Sequence, residues 1–165
     1  MKKMILYIFP IVAVLGIVIL VKISNQSAMD IVNYEKVALE FKENEVQCPQ
    51  CNMFLVHKEH TAQAITSDNK TYFFDDPGCL VLWIDQKHKK KANEIVKWVY
   101  AHDSKKWIDA QKAFYSFSDK TPMNYGFTAY ENEIENYIGY DEMRLRMLRG
   151  ENMTNPKIRK KLLGN

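Results

Sequence analysis

The feature that most constrains this chain is an uncharged apolar run over residues 4–21, interrupted only by Pro10 and Gly16. Its length is close to the ~20 residues that a helix needs to cross a bilayer. Lys2 and Lys3 precede it, which favours a cytoplasmic N-terminus and places the rest of the chain outside. A cleaved signal peptide is the alternative, but the flank at residues 21–23 fits a cleavage site poorly. We therefore expect residues 1–22 to form a single-pass anchor in the cytoplasmic membrane.

Length and charge limit what the rest of the chain can be. A chain of 165 residues has material for one domain core and none for a second enzyme domain. Its formal net charge is only +3, and no basic stripe interleaved with aromatic residues indicates a nucleic-acid surface. It has no Gly-rich phosphate loop and no Ser-His-Asp signature. We expect neither an enzyme nor a nucleic-acid-binding protein.

The order of patterns after the anchor predicts an α+β domain over residues 47–150. A loose apolar stripe over residues 23–46 suits a juxtamembrane helix or spacer. Alternation and turn residues predict strands at 53–56 and 61–74, the latter divided by a turn at 67–70. Asp75 and Asp76 are candidate caps for a helix that begins at Pro77, and a strand follows at 94–100. This order is strand, strand, helix, strand.

A similar order is expected to recur, so that the fold has two similar strand-strand-helix-strand units. Strands are predicted at 113–118 and 126–130, followed by a helix at 131–140. Residues 143–147 are either the last strand or an extension of that helix. Residues 151–165 are expected to be a basic C-terminal tail, with a solvated end at residues 157–165.

The chain has an odd number of cysteines, namely Cys48, Cys51 and Cys79, although we expect the domain to lie outside the cytoplasm. Thiols there tend to be oxidised in pairs, so at least one of the three has another role. Cys79 falls inside an apolar run, where a buried and inert thiol is the simplest interpretation.

The spacing of Cys51 and Met53 indicates a soft-metal site. If the chain enters a strand at Cys51, the two side chains share a face. A thiolate with a thioether is a donor set that selects Cu(I). The spacing alone also fits a core methionine beside a buried or paired thiol.

The Cys48-x-x-Cys51 pair could also serve in haem attachment, zinc binding or thiol-disulfide exchange. Haem attachment needs a histidine after Cys51, where Asn52 stands. Zinc would have to recruit His57 and His60 at an unusually short spacing. The rival from another functional class is a membrane-anchored thiol-disulfide oxidoreductase, although strand-forming residues follow the pair where a helix N-terminus is expected.

Four ordered segments resemble the motifs of the NosL family, and together they span roughly residues 46–140. They are CPQCNM at 48–53, FFDDPGC at 73–79, WIDAQKA at 107–113 and PMNYGFTAY at 122–130. The resemblance implies an extracytoplasmic Cu(I) chaperone that helps to deliver copper to nitrous oxide reductase, with copper-transport and reductase-assembly proteins as partners. It also implies that Cys51 and Met53 are the C-x-M copper motif and that Met123, on the Pro122 turn, is a third ligand.

The chain departs from the family pattern at two points. Many members are lipoproteins, whereas here an apolar run stands in place of a lipid-bearing cysteine. Asn52 occupies a position where glycine is common.

The predicted anchor gives a first test. Chain isolated from membranes should retain residues 1–22, because the run lacks a suitable cleavage site, and external protease should reach the C-terminal domain. Mass spectrometry of the mature chain checks this. A mature chain that starts near Met29 would show that the segment is a signal peptide.

Overall fold

The computed structural model describes residues 14–16 and 32–164. Short strands alternate with helices along the second of these ranges. The elements, in chain order, are β1 (Ala62–Ile65), β2 (Thr71–Phe74), α1 (Pro77–Lys87), a 3-10 helix (Lys89–Glu94), β3 (Val96–Tyr100), β4 (Trp107–Asp109), β5 (Phe114–Tyr115), β6 (Ala129–Tyr130), β7 (Ile138–Gly139), α2 (Tyr140–Arg149) and α3 (Pro156–Leu163).

The strands form two antiparallel sheets. The larger has the order β2-β1-β3-β4, and the smaller has the order β6-β5-β7. All four residues of β1 are buried, as expected of a central strand that is covered on both faces. The predicted α+β class is confirmed.

Helix α1 covers one face of the larger sheet. The ring of Trp83 packs against Tyr72 and Phe74 of β2, with centroid separations of 4.7 and 5.4 Å. Since side chains alternate along a strand, Phe73 projects from the opposite face. The first two turns of α1 have almost no polar side chains, because most of their residues are buried.

The other face of the larger sheet is covered by residues 33–41. Phe41 meets Phe73 edge to face at 5.4 Å, and the side chain of Gln63 exchanges two hydrogen bonds with the backbone of Leu39. The indole of Trp98 donates to the carbonyl of Lys36. This part of the predicted spacer therefore packs on the domain as an irregular strap.

The first predicted unit is found, with one correction. The hairpin β1–β2, helix α1 and strand β3 follow the predicted order. The strand predicted at 53–56 was wrong, since only an isolated bridge joins Gln47 to Phe54. The chain there folds back on residues 44–46, and the backbone groups of Leu55 pair with Asn44 and Val46 instead of with a sheet.

The second predicted unit was wrong in its order. No helix forms at 131–140, because the backbone amides of Glu131 and Asn132 are held by the carboxylate of Asp103. Strand β7 ends there, and the helix is α2, which includes residues 143–147, so the helical alternative for those residues is the one found. Tyr140, Met143 and Met147 are buried at helical spacing, so the alternation with arginines was misleading.

Most of the predicted anchor lies outside the described residues. Of residues 4–21, only 14–16 are described, so the anchor stays a prediction. Within the described ranges, no helix has the length and apolar character needed to cross a membrane. The final basic stretch includes α3, and it also buries Asn152 and Met153.

The start of α1 is packed too closely to accept a side chain at Gly78. A β-carbon there would overlap the ring of Tyr125 and stand 3.0 Å from the sulfur of Met147. Gly78→Ser should lower the free energy of unfolding by about 1–3 kcal/mol, since overpacking displaces these neighbours. Denaturant titration measures this cost.

Gly139→Ser is the matched control, because a β-carbon at Gly139 has no atom within 4 Å. Serine is also a favourable residue at this position, which caps α2. The control should keep or slightly raise stability. Equal stability of the two variants would contradict the close packing at Gly78.

Candidate metal centre

The loop that carries Cys48 and Cys51 is closed by its own backbone. The amide of Cys48 donates to the carbonyl of Met53 at 2.8 Å, and the amide of Asn52 donates to the carbonyl of Cys48 at 2.9 Å. Asn52 has a φ of 63°, in the left-handed region that glycine favours and asparagine tolerates. Asparagine is therefore compatible with the backbone at a position where glycine is common in the resembling family.

Asp76 ties the start of α1 to the Pro122 turn. Its Oδ1 accepts from the amide of Gly78 at 2.8 Å, which caps the helix, and Pro77 occupies the first turn. Its Oδ2 accepts from the amide of Met123 at 3.4 Å. Burial raises the pKa of Asp76 to about 7, and a hydrogen bond from Thr121 opposes this effect. One carboxylate thus holds the Met123 turn against the helix.

Four side chains converge between the loop and the start of α1. One donor atom each from Cys48, Cys51, Asp75 and Cys79 lies within 4.8 Å of the others. We call these four residues the thiol cluster. Cys48 and Cys79 are fully buried and Cys51 is half-buried, and all three thiols are free. Three sulfurs and one carboxylate at this spacing could hold a metal ion.

The three sulfurs of the thiol cluster have different electrostatic environments. A hydrogen bond from Cys79 lowers the pKa of Cys48, and the backbone amides of Asp75 and Cys51 add to that effect. The same bond to Cys48 raises the pKa of Cys79, as does burial. Burial raises the pKa of Cys51 to about 12. Cys48 is therefore the sulfur best prepared to carry negative charge.

Asp75 has an incomplete set of hydrogen bonds despite being 4% exposed. Its Oδ1 accepts from the thiol of Cys51 at 3.2 Å. No donor among the described residues reaches its Oδ2. A buried carboxylate oxygen without a partner is costly, and a bound cation would satisfy it.

The two predicted methionine ligands lie at the edge of this arrangement. Met53 is 45% exposed and lines a cavity of about 200 Å³ together with Asp75 and Pro122. Met123 is half-buried, and its backbone is held by Asp76. The strand that was expected to align Cys51 with Met53 is absent from residues 51–53. The turn, rather than strand alternation, places Met53 near Asp75.

Sequence reasoning missed Asp75 and Cys79 as members of the cluster. It treated both aspartates as helix caps, although only Asp76 caps α1. A helix has one N-cap residue, so the second carboxylate in an Asp-Asp-Pro segment was a usable sign of another role. Nothing in the local pattern distinguishes Cys79 from an ordinary buried thiol.

The histidines do not join the cluster. His57 is exposed, and the Nδ1 of His60 lies 3.1 Å from the hydroxyl of Thr128. Among the described residues, neither belongs to a group of three or more potential metal donors. The zinc site considered with these two histidines is not assembled, although zinc also accepts thiolate and carboxylate ligands.

The two cysteines that a thiol-disulfide oxidoreductase would use are Cys48 and Cys51. Such an enzyme needs an accessible cysteine with a lowered pKa. The accessible thiol here is Cys51, and its pKa is raised. No helix begins after Cys48, since residues 49–51 form a turn.

Comparison with known proteins gives a weak match in structure. No protein-family model matches the chain, and no curated protein sequence matches it. Among solved structures, the chain is similar to the copper chaperone NosL from Shewanella denitrificans, with a TM-score of 0.49 and 14% identity. The match covers 63% of this chain and 90% of that chain. This likeness is below the level that identifies a shared fold.

Burial of the thiols predicts their order of reactivity. In reduced, metal-free, folded protein, N-ethylmaleimide should modify Cys51 first, because Cys48 and Cys79 are fully buried, and the reaction should be slow because the pKa of Cys51 is raised. Three labels should be found after unfolding in denaturant. Peptide mass spectrometry counts and locates them, and Cys51→Ser is the control that should lose the native label. Native labelling of Cys48 or Cys79 at a similar rate would contradict the buried cluster.

Proposed function

We propose that this chain is an extracytoplasmic Cu(I)-binding chaperone that delivers copper for the assembly of nitrous oxide reductase. The observation that carries the proposal is the convergence of three thiols at the start of α1, with Met53 and the Met123 turn beside them. Sulfur ligands of this kind suit Cu(I).

The methionines favour copper over zinc as the cargo. Zinc is bound in proteins by thiolate, imidazole and carboxylate groups, and thioethers are characteristic of copper sites. Cys51, Met53 and Met123 are the proposed ligands. Cys48 and Cys79 are reserve donors behind Cys51 in this proposal.

Access to the site supports transfer rather than storage. Met53 is 45% exposed and Cys51 is half-buried, so a ligand of a partner protein can approach them from solvent. A copper ion that is held by few protein ligands on this accessible side keeps coordination positions free for a ligand of the partner. No residue of the chain needs to turn over a substrate in this role.

The location and the client depend on other observations. The apolar run at residues 4–21 supports a membrane anchor with the domain on the outer side. The four ordered segments that resemble the NosL family support nitrous oxide reductase as the client. Copper-transport and reductase-assembly proteins are the proposed partners.

Substitution of single donors tests the copper set. In reduced full-length chain held in mild detergent, competition with a chromophoric Cu(I) chelator should show the largest loss of affinity for Cys51→Ser. Loss of the charged Cys51 thiolate should exceed the roughly 10–100-fold effect of an outer-shell change, whereas loss of a neutral thioether ligand should cost less. Met53→Ala and Met123→Ala should each lose about 10-fold, while His57→Ala changes little.

A second pair of variants separates copper transfer from a structural zinc site. If the thiol cluster itself holds Zn(II), Asp75→Asn and Cys79→Ser should abolish tight zinc binding, and both methionine variants should bind zinc as the parent does. The copper proposal fails if Cys51→Ser binds Cu(I) as tightly as the parent. It also fails if Zn(II) readily displaces Cu(I) from the parent.

A further inference from the structure

A cavity of about 220 Å³ lies between α1, the 3-10 helix, β3 and α2. It shares no lining residue with the thiol cluster or with the proposed methionine ligands. Its volume corresponds to roughly seven groups of water size at ~30 Å³ each. The space is therefore suited to a small molecule and not to a peptide.

Lys97 places a buried cation in the wall of this cavity. Lys97 is the second residue of β3, and only 7% of it is exposed. Its Nζ donates to the carbonyls of Ala92 and Ile95 at 3.0 and 2.8 Å. Among the described residues, no carboxylate forms an ion pair with it. Buried charges are normally paired with an opposite charge, and here the ammonium is held by two backbone carbonyls instead.

A second cation faces the same space from α2. Arg144 lines the cavity, is half-buried, and forms no ion pair within the described part of the chain. Burial is the main cause that lowers the pKa of Lys97; the carboxylate of Asp109 opposes it, the charge of Arg144 adds to it, and Asp141 opposes it weakly. Two neighbouring cations that form no direct ion pair among the described residues make the cavity attractive to an anion.

The other polar side chains leave this imbalance in place. The carboxylate of Asp85 is already engaged by Lys89 at 3.2 Å. Asp141 is the second acid of the lining, and it is exposed. Tyr140 and Gln111 add a hydroxyl and an amide that can donate to an oxyanion. With Asp85 neutralised, Lys97 and Arg144 outnumber Asp141.

Another part of the lining is apolar. Val81, Ile84 and Leu148 contribute hydrocarbon surface to the cavity, and the first two are buried. An inorganic oxyanion would set its oxygens against this surface. A ligand with one charged end and a short hydrocarbon tail would match both parts of the lining.

We propose that this cavity binds a small organic carboxylate, with its anionic end between Lys97 and Arg144 and its hydrocarbon part against Val81, Ile84 and Leu148. The guanidinium of Arg144 supplies the planar pair of donors that carboxylates prefer. The bound anion compensates the buried ammonium of Lys97. This site is independent of the proposed copper cargo, because the two share no residue.

Butyrate is the probe, and butyramide is its neutral counterpart of similar shape. Ligand-observed NMR on the full-length chain in nonionic detergent, at constant ionic strength, should show saturable binding of butyrate and at least 10-fold weaker binding of butyramide. Arg144→Gln should weaken butyrate binding at least 10-fold. Lys97→Met should do the same, and Arg144→Gln keeps the test decisive if Lys97→Met does not fold. Lys90→Gln, an exposed position outside the lining, is the control that should bind as the parent does.

Three results would overturn the proposal: no binding of butyrate to the parent, equal binding of butyramide, or parent-like binding by Arg144→Gln. Inorganic phosphate is the competing probe. Binding of phosphate without butyrate would show an inorganic oxyanion site and would also overturn it. Because none of these measurements uses copper, the proposed chaperone function can fail or hold without changing their outcome.

Discussion

The buried carboxylate of Asp76 is the interaction on which the metal centre depends. It caps α1 through Gly78 and accepts the amide of Met123, so it joins the end of β2 to a turn that lies more than forty residues later in the chain. These two hydrogen bonds of Asp76 fix the start of α1, and they thereby position Asp75, which precedes the cap, and Cys79, which lies in the first turn of the helix. The thiol cluster is consequently a product of how α1 begins.

The second constraint comes from the closed loop of residues 48–53. Its backbone turns through the left-handed Asn52 and directs the amide of Cys51 toward the sulfur of Cys48. Cys79 donates to the same sulfur from α1, so Cys48 is the point at which the loop and the helix meet. Cys51 is left on the outer side, with Asp75 as its acceptor. The cluster therefore has a buried inner side at Cys48 and Cys79 and a solvent-accessible outer side at Cys51. The proposed delivery of a metal ion requires such an accessible side.

Sequence patterns predicted the features that depend on neighbouring residues. The hairpin of β1 and β2, the Asp76 cap and the start of α1 at Pro77 follow from turn and capping chemistry within a few positions. The failures occurred where distant contacts decide the structure. The carboxylate of Asp103 accepts hydrogen bonds from the amides of Glu131 and Asn132, where a helix was predicted. No sequence pattern near Glu131 indicates that Asp103 is the partner. Cys79 could not be recognised as a donor for the same reason, since its neighbours in the cluster come from another segment.

Two overlapping donor sets follow from this geometry. The thiol cluster has three cysteines and a carboxylate in a largely buried space, which resembles the closed coordination of structural metal sites. The proposed copper set replaces Cys48, Asp75 and Cys79 by two thioethers and retains only Cys51. Cu(I) does not require four ligands, and thioethers bind it without a negative charge that would hold it tightly. A copper ion held on the outer side by Cys51, Met53 and Met123 remains within reach of a partner. Occupation of the inner donors would close the site, so the choice between the two sets decides between delivery and retention.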